Sequence, residues 1–233
     1  MLGKMNSQSG LAEDLVMDTK HQEYCEVSRY QDYVIKNGRF IGEFEEMYRN
    51  SSQIPWHQDE TVNSIFSDMC VVIIRRCMPA SLLDVGCGLG YMAERLRSEI
   101  DGLENIVGLD VSETATARAK DLFPLIRFVA GDLKSALPEN KFEMVVSKDV
   151  LWYVLDDLDG YLNALVARSS RHVYIGQSFP ATKPYYGEDV LPNAAGLIDL
   201  LRQSGFDVVY QLIERDACYG NREYAHALLK LKI

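Results

Sequence analysis

The stretch Leu82–Leu96, LLDVGCGLGYMAERL, sets Gly86, Gly88 and Gly90 at alternate positions directly after an acid, Asp84. It reads as a buried strand, a glycine-rich turn and the start of a helix. Glycines in such a turn let a ligand lie against backbone N–H groups at a helix N-terminus. The spacing separates two ligand classes. The dinucleotide fingerprint is G-x-G-x-x-G. Here the third glycine comes one residue early, and Tyr91 takes the slot which that fingerprint reserves for glycine. This argues against a dehydrogenase. A carboxylate at the strand end also repels a pyrophosphate and suits a ligand bearing an amino group. A second acid, Asp110, sits in Val107–Ser112, VGLDVS. An acid that ends a strand accepts hydrogen bonds from ribose hydroxyls. The competing reading is a cap for the next helix, a task open to Ser112.

The run D-V-G-C-G-L-G, Asp84–Gly90, resembles the first motif of the class I S-adenosylmethionine-dependent methyltransferases, and the chain is similar to that family from Ser81 to its C-terminus. The resemblance implies S-adenosylmethionine as cofactor. Asp84, Gly86, Cys87, Gly88 and Gly90 would hold its methionine part, with Asp110 and Val111 at the ribose. Asp132 and Leu133, in Ala130-Gly131-Asp132-Leu133, would bracket the adenine; a simple Asp turn is the alternative. The Lys148 backbone would line the methionine side. At the family's catalytic edge, Asp149 with Trp152 and Tyr153 would begin the floor of an acceptor pocket, although both aromatics read equally well as core packing. A D-P-P-Y type motif is absent, which argues against methylation of nucleic-acid bases.

The segment Arg49–His57, RNSSQIPWH, resembles lid segments of nodulation-type and related small-molecule methyltransferases, with Ile54 where those carry Asp. The resemblance lays Trp56 against the cofactor. Trp56, and after it Tyr33, would offer π faces to a sulfonium. His57 is the preferred general base because an imidazole titrates near neutrality; a helix start or a cofactor contact is the other reading. Tyr185-Tyr186-Gly187-Glu188 reads as a flap on the acceptor side or as a surface loop.

The elements that must position these residues follow from pattern. Residues 1–80 read as a helical N-terminal extension forming a lid. A first helix would stop at Asn37-Gly38, a second would run from about Ile41 to Tyr48, and a third from about Asp59 to Cys77, with apolar residues every three or four positions. Cys70 and Cys77 would share its apolar face. From Ser81 strands alternate with helices: Leu82–Val85, Asn105–Leu109, Leu125–Ala130, Phe142–Ser147 and His172–Gly176. A helix follows at Asn193–Ser204, stopped by Gly205. Two final strands, Asp207–Ile213 and Glu223–Leu231, have no helix between them and so pair antiparallel. The expected fold is α/β. It is a Rossmann-like, seven-stranded, mostly parallel sheet with an antiparallel C-terminal strand and helices on both faces, spanning residues 81–233.

The chain has 233 residues, enough for one domain with a full core plus an extension. Its net charge of −10 disfavours long contacts with nucleic-acid phosphates. No apolar run reaches membrane-spanning length, and the N-terminus lacks the apolar stretch of a signal peptide. Five scattered cysteines without a CxxC pair argue against a disulfide framework and a zinc site. A cytoplasmic location is the default expectation. The expected activity is in-line methyl transfer to an amine or hydroxyl of a small molecule, such as a sugar or secondary metabolite. The alternatives are protein or RNA methylation, or a cofactor-binding module without catalysis.

Overall fold

The computed structural model describes residues 29–36, 39–137, 141–217 and 221–230. The expected stop at Asn37-Gly38 lies outside them. The N-terminal segment carries a 3-10 turn at Tyr30–Tyr33, short strands β1 (Ile35–Lys36) and β2 (Arg39–Phe40), and helices α1 (Phe44–Asn50), α2 (Gln58–Thr61) and α3 (Ile65–Arg75). The core continues β3 (Ser81–Val85), α4 (Tyr91–Glu99), β4 (Asn105–Asp110), α5 (Glu113–Leu122), β5 (Arg127–Ala130), β6 (Phe142–Lys148), α6 (Leu158–Arg168), β7 (Ser169–Phe179), α7 (Ala194–Gln203), β8 (Asp207–Asp216) and β9 (Arg222–Lys230).

Seven strands form one sheet in the order β5-β4-β3-β6-β7-β9-β8. Strand β9 runs antiparallel to both neighbours, and the pairs from β5 to β7 are parallel. The seven-stranded, mostly parallel sheet with an antiparallel last strand is therefore as the alternation of elements predicts. Chain order reverses at β3, which lies between β4 and β6. That reversal opens the crevice where open α/β sheets bind ligands.

Each face of the sheet is covered. Leu158, Leu162 and Leu165 of α6, with Leu197 and Leu201 of α7, pack on Leu83, Val145 and Val173. On the other face Cys70, Ile73 and Ile74 of α3 and Leu96 of α4 pack on Leu82, Met144 and Val146. Helix α3, placed in the extension by sequence, thus shares a packed cluster with the core strands. A third cluster, with Tyr30, Met47 and Tyr48, seats the N-terminal segment on Leu89 and Ala115.

The described residues ahead of Asn37 form a 3-10 turn and strand β1 rather than the helix expected there, because Ile35 and Lys36 pair with Phe40 and Arg39 of β2. Two further elements differ from expectation. The helix expected from Asp59 to Cys77 is broken after α2. Ser64 caps a fresh helix by accepting from the Ser67 N–H, and the Ser67 hydroxyl donates to the Thr61 carbonyl. Such local side-chain bonds compete with helix continuation. Strand β7 is longer than His172–Gly176, because β9 pairs with it from His172 to Phe179 and satisfies the backbone of its polar end. Among the described residues no helix is long and apolar enough to cross a membrane.

Candidate active site

The glycine turn joins β3 to α4 at the sheet's switch point. Gly86, Gly88 and Gly90 have φ of +73°, +53° and +83°, a region that favours glycine. Asp84 is 3% exposed, and its Oδ2 is buried with no hydrogen-bond partner. Burial pushes its carboxyl up to about 7, against the pull of the Lys148 ammonium. An acid held in this state is stabilised by any cationic amine that arrives. Cys87 is buried and its thiol is pushed up by burial, so it packs and does not react.

Asp110 ends β4 beside the turn. Its Oδ2 accepts from the Gly88 N–H at 2.9 Å and its Oδ1 from the Ser112 N–H at 3.0 Å. Each oxygen retains a lone pair for a diol. Burial still raises its carboxyl despite these bonds. Val111, next in the chain, is 56% exposed, an apolar surface beside the acid. The helix-capping task falls to Ser112, whose Oγ accepts from the Ala115 N–H.

Beyond β5, Asp132 and Leu133 line a cavity of about 230 Å³, together with Tyr153, Val154 and Tyr161. Asp132 also closes an Asp turn by accepting from the Lys134 N–H at 2.8 Å, so turn and cavity wall coexist. A second cavity, of about 210 Å³, is lined by Tyr30, Trp56, Trp152, Tyr153, Tyr185 and Tyr186. Tyr153 is a wall of both. Of the N-terminal tyrosines, Tyr30 lines this cavity, while Tyr33 packs on the third cluster.

Lys148 ends β6, and Asp149 follows it. The Asp149 Oδ1 accepts from the Ser178 N–H at 2.8 Å and hydroxyl at 2.6 Å, and its Oδ2 takes Lys148 Nζ at 2.9 Å. Burial alone would raise this carboxyl, but Lys148 and Ser178 outweigh it and hold it low. A carboxylate so committed braces β6 against β7 and is a poor base. Lys148 Nζ also lies 4.5 Å from the Phe66 ring centre. Trp56 and His57 both adopt left-handed backbone, φ +54° and +48°, a costly conformation for such residues. Trp56 stands 5.8 Å from Tyr153, ring centre to ring centre. His57 is exposed, edge-on to Tyr30 at 6.1 Å, and lines neither cavity.

Three residues from the N-terminal segment join the site without any motif to announce them. Gln58 Oε1 accepts from the Leu89 N–H at 2.9 Å, and its Nε2 donates to the Tyr48 hydroxyl at 3.0 Å. A Cβ on Gly88 would stand 2.6 Å from that hydroxyl, so glycine is needed for this approach. Glu45 accepts from the Thr114 N–H at 3.1 Å and from the Thr114 and Ser112 hydroxyls at 2.6 Å each. These bonds, Ser112's foremost, lower the Glu45 carboxyl to about 2.

These residues fit S-adenosylmethionine. The partnerless Asp84 oxygen suits its ammonium, Asp110 its ribose diol, and the Asp132–Leu133 cavity its adenine.

The relatives agree. Residues 83–168 match the family model described as a methyltransferase domain. A probable S-adenosylmethionine-dependent methyltransferase of Mycolicibacterium smegmatis is 25% identical over 147 residues, covering 58% of this chain and 55% of that protein. A rat protein, the mitochondrial arginine-hydroxylase NDUFAF5, is 35% identical over 98 residues, covering 42% of this chain and 27% of that protein. The chain thus spans only part of the curated relatives it matches. The N-methyltransferase NodS from Bradyrhizobium japonicum WM9, solved with S-adenosyl-L-homocysteine, superposes with a TM-score of 0.60 at 14% identity, covering 81% of this chain and 98% of NodS. That likeness establishes the fold. The glycine turn, the two acids, the sheet order and the match of residues 83–168 to the methyltransferase-domain model together make the chain similar to the class I S-adenosylmethionine-dependent methyltransferases.

Proposed function

We propose that this protein transfers a methyl group from S-adenosylmethionine to an amine or hydroxyl of a small molecule. The observation that carries the reading is the pair of cavities sharing Tyr153: one beyond the end of β5, lined by Asp132 and Leu133, the other walled by aromatic rings. When bound, the cofactor supplies a methyl group already activated on a sulfonium. The chain's own task is then alignment and exclusion of water. Asp84 and Asp110 orient one partner. Trp56, Trp152 and Tyr153 shape the space for the other. A small, aromatic-lined acceptor space and an acidic chain both favour a small molecule over nucleic acid.

A protein side chain as acceptor is the second reading, favoured by the 98-residue similarity to the arginine hydroxylase. Calorimetric titration with S-adenosylmethionine, S-adenosylhomocysteine and NAD tests the base of both readings. Binding of the two adenosyl compounds alone is expected. No adenosyl binding would overturn the proposal, and NAD binding would mean that the glycine turn serves a dinucleotide.

A further inference from the structure

We infer that the acceptor is an amine, held in the aromatic cavity as its product becomes cationic. The inference rests on the methyl-transfer reading and narrows it to one acceptor class. Its ground is what lines the cavity. Six aromatic side chains line it, and the remaining described lining residues are apolar apart from the neutral Gln31. Among the described residues that line it there is no carboxylate, imidazole or ammonium.

A hydroxyl acceptor needs a base to become nucleophilic; a neutral amine does not. The phenols offer no such base. Burial raises the titration of Tyr30, Tyr153, Tyr185 and Tyr186 alike, so all four stay protonated at neutral pH. The Tyr185 hydroxyl is further spent on the Leu191 and Pro192 carbonyls, at 3.0 and 2.6 Å. Asp149 is committed to Lys148 and Ser178. His57 stands outside, against the edge of Tyr30.

The charge balance points the same way. The amine lone pair forms the N–C bond as the S–C electron pair returns to sulfur. The positive charge passes from sulfonium to ammonium, and the product sheds its proton to water after release. A cation is therefore present before and after the step, and ring faces attract cations. The rings are braced for this. Phe40 stacks behind Tyr153 and Tyr186, with ring centres 6.1 and 6.0 Å apart. On the same loop Lys183 already lies 5.9 Å from the Tyr185 ring centre. The chain's net charge of −10 draws cationic ligands in from solution.

Choline and its uncharged carbon isostere, 3,3-dimethylbutan-1-ol, form the test pair. Both are titrated by ligand-observed NMR into the full chain with and without S-adenosylhomocysteine. Choline is expected to bind at least about tenfold tighter than the alcohol. The preference should vanish in Trp56→Leu and in Tyr186→Leu, the second variant lying on a loop whose change spares the core. Equal binding, binding of neither compound, or a preference that survives both substitutions overturns the amine assignment. The S-adenosylhomocysteine titration decides the parent reading separately. If it binds without a choline preference, methyl transfer stands and the amine falls; if it fails to bind, methyl transfer falls.

Discussion

Burial pushes the Asp84 carboxyl up to about 7, so in the free protein it is mostly protonated below that pH. An incoming ammonium favours the carboxylate, and binding must release the proton. Between pH 5 and 7 the affinity for S-adenosylmethionine should therefore rise by up to about tenfold per unit. In Asp84→Asn the affinity should be weaker and flat across the same range. Calorimetry in buffers of different ionisation enthalpy reads the proton directly, and an affinity independent of pH in the wild-type chain would remove Asp84 from the amine's surroundings. Asp110 acts differently, since two backbone N–H groups already hold its oxygens. Asp110→Ala should cost about 1–3 kcal/mol of cofactor binding, and it should lower the melting temperature because the Gly88 and Ser112 N–H groups lose their acceptor. Unchanged affinity would exclude it from the ribose. Both acids were legible in the sequence, because each ends a strand next to residues of distinctive type. Gln58 and Glu45 were not. Their bonds span 31 and up to 69 residues of chain, and no local pattern encodes a contact made only when two distant segments meet.

Helix α1 is fastened to the core at a helix terminus. The first turn of α5 has free N–H groups; Ser112 takes that of Ala115, and Glu45 reaches across from α1 to take that of Thr114. Glu45→Ala should cost about 0.5–1 kcal/mol, toward the lower part of the range for a lost cap because the side chain is partly exposed. The loss should appear as faster amide exchange in α1 and the first turn of α5, with α6 unchanged; uniform loosening would show that Glu45 carries no local latch. The lowered Glu45 carboxyl fixes the sign of its pH dependence. Its contribution is complete above the ordinary value of 4.5 and is lost as pH falls toward about 2. The elements themselves were read from sequence with uneven success. Most strands and α7 were legible because apolar runs, Ser112, Asn193 and Gly205 mark their limits. The break before α3 was hidden because the apolar spacing continues through it while Ser64 and Ser67 redirect the backbone. Strand β7 ran past its apolar centre because β9 pairs with its polar end, and a partner strand leaves no mark on the sequence of the one it pairs with.

Across the whole sheet, polar groups buried on the α3 face tie strands that are far apart in the chain. The Tyr174 hydroxyl lies 2.7 Å from His226 Nδ1, and His226 Nε2 lies 3.0 Å from Glu214 Oε1, linking β7, β9 and β8. Gly176 pairs with His226 across β7 and β9, and a Cβ there would come 2.7 Å from the Tyr174 hydroxyl. Tyr174 and His226 fall inside strands that the sequence pattern marks, but nothing local marks their bond, because the network exists only once β9 is inserted between β7 and β8. Its titration opposes that of Asp84. Burial lowers the His226 imidazole from its ordinary 6.5, against the pull of Glu214, so the folded chain keeps it neutral. As pH falls below 6.5 the unfolded chain gains a proton there that the folded chain resists, and stability is lost. For Asp84 the folded value lies above the unfolded one, so stability is instead lost as pH rises from about 4 to about 7. The two slopes partly cancel in the wild-type chain, and single substitutions should separate them. In denaturant titrations from pH 5 to 8, the stability of Asp84→Asn relative to wild type should rise with pH toward 7. The deficit of His226→Gln should shrink as pH falls below 6.5. Parallel curves for wild type and His226→Gln would mean that the buried imidazole takes its proton in the folded chain as readily as in the unfolded one, and that the sheet's polar network carries no pH dependence of its own.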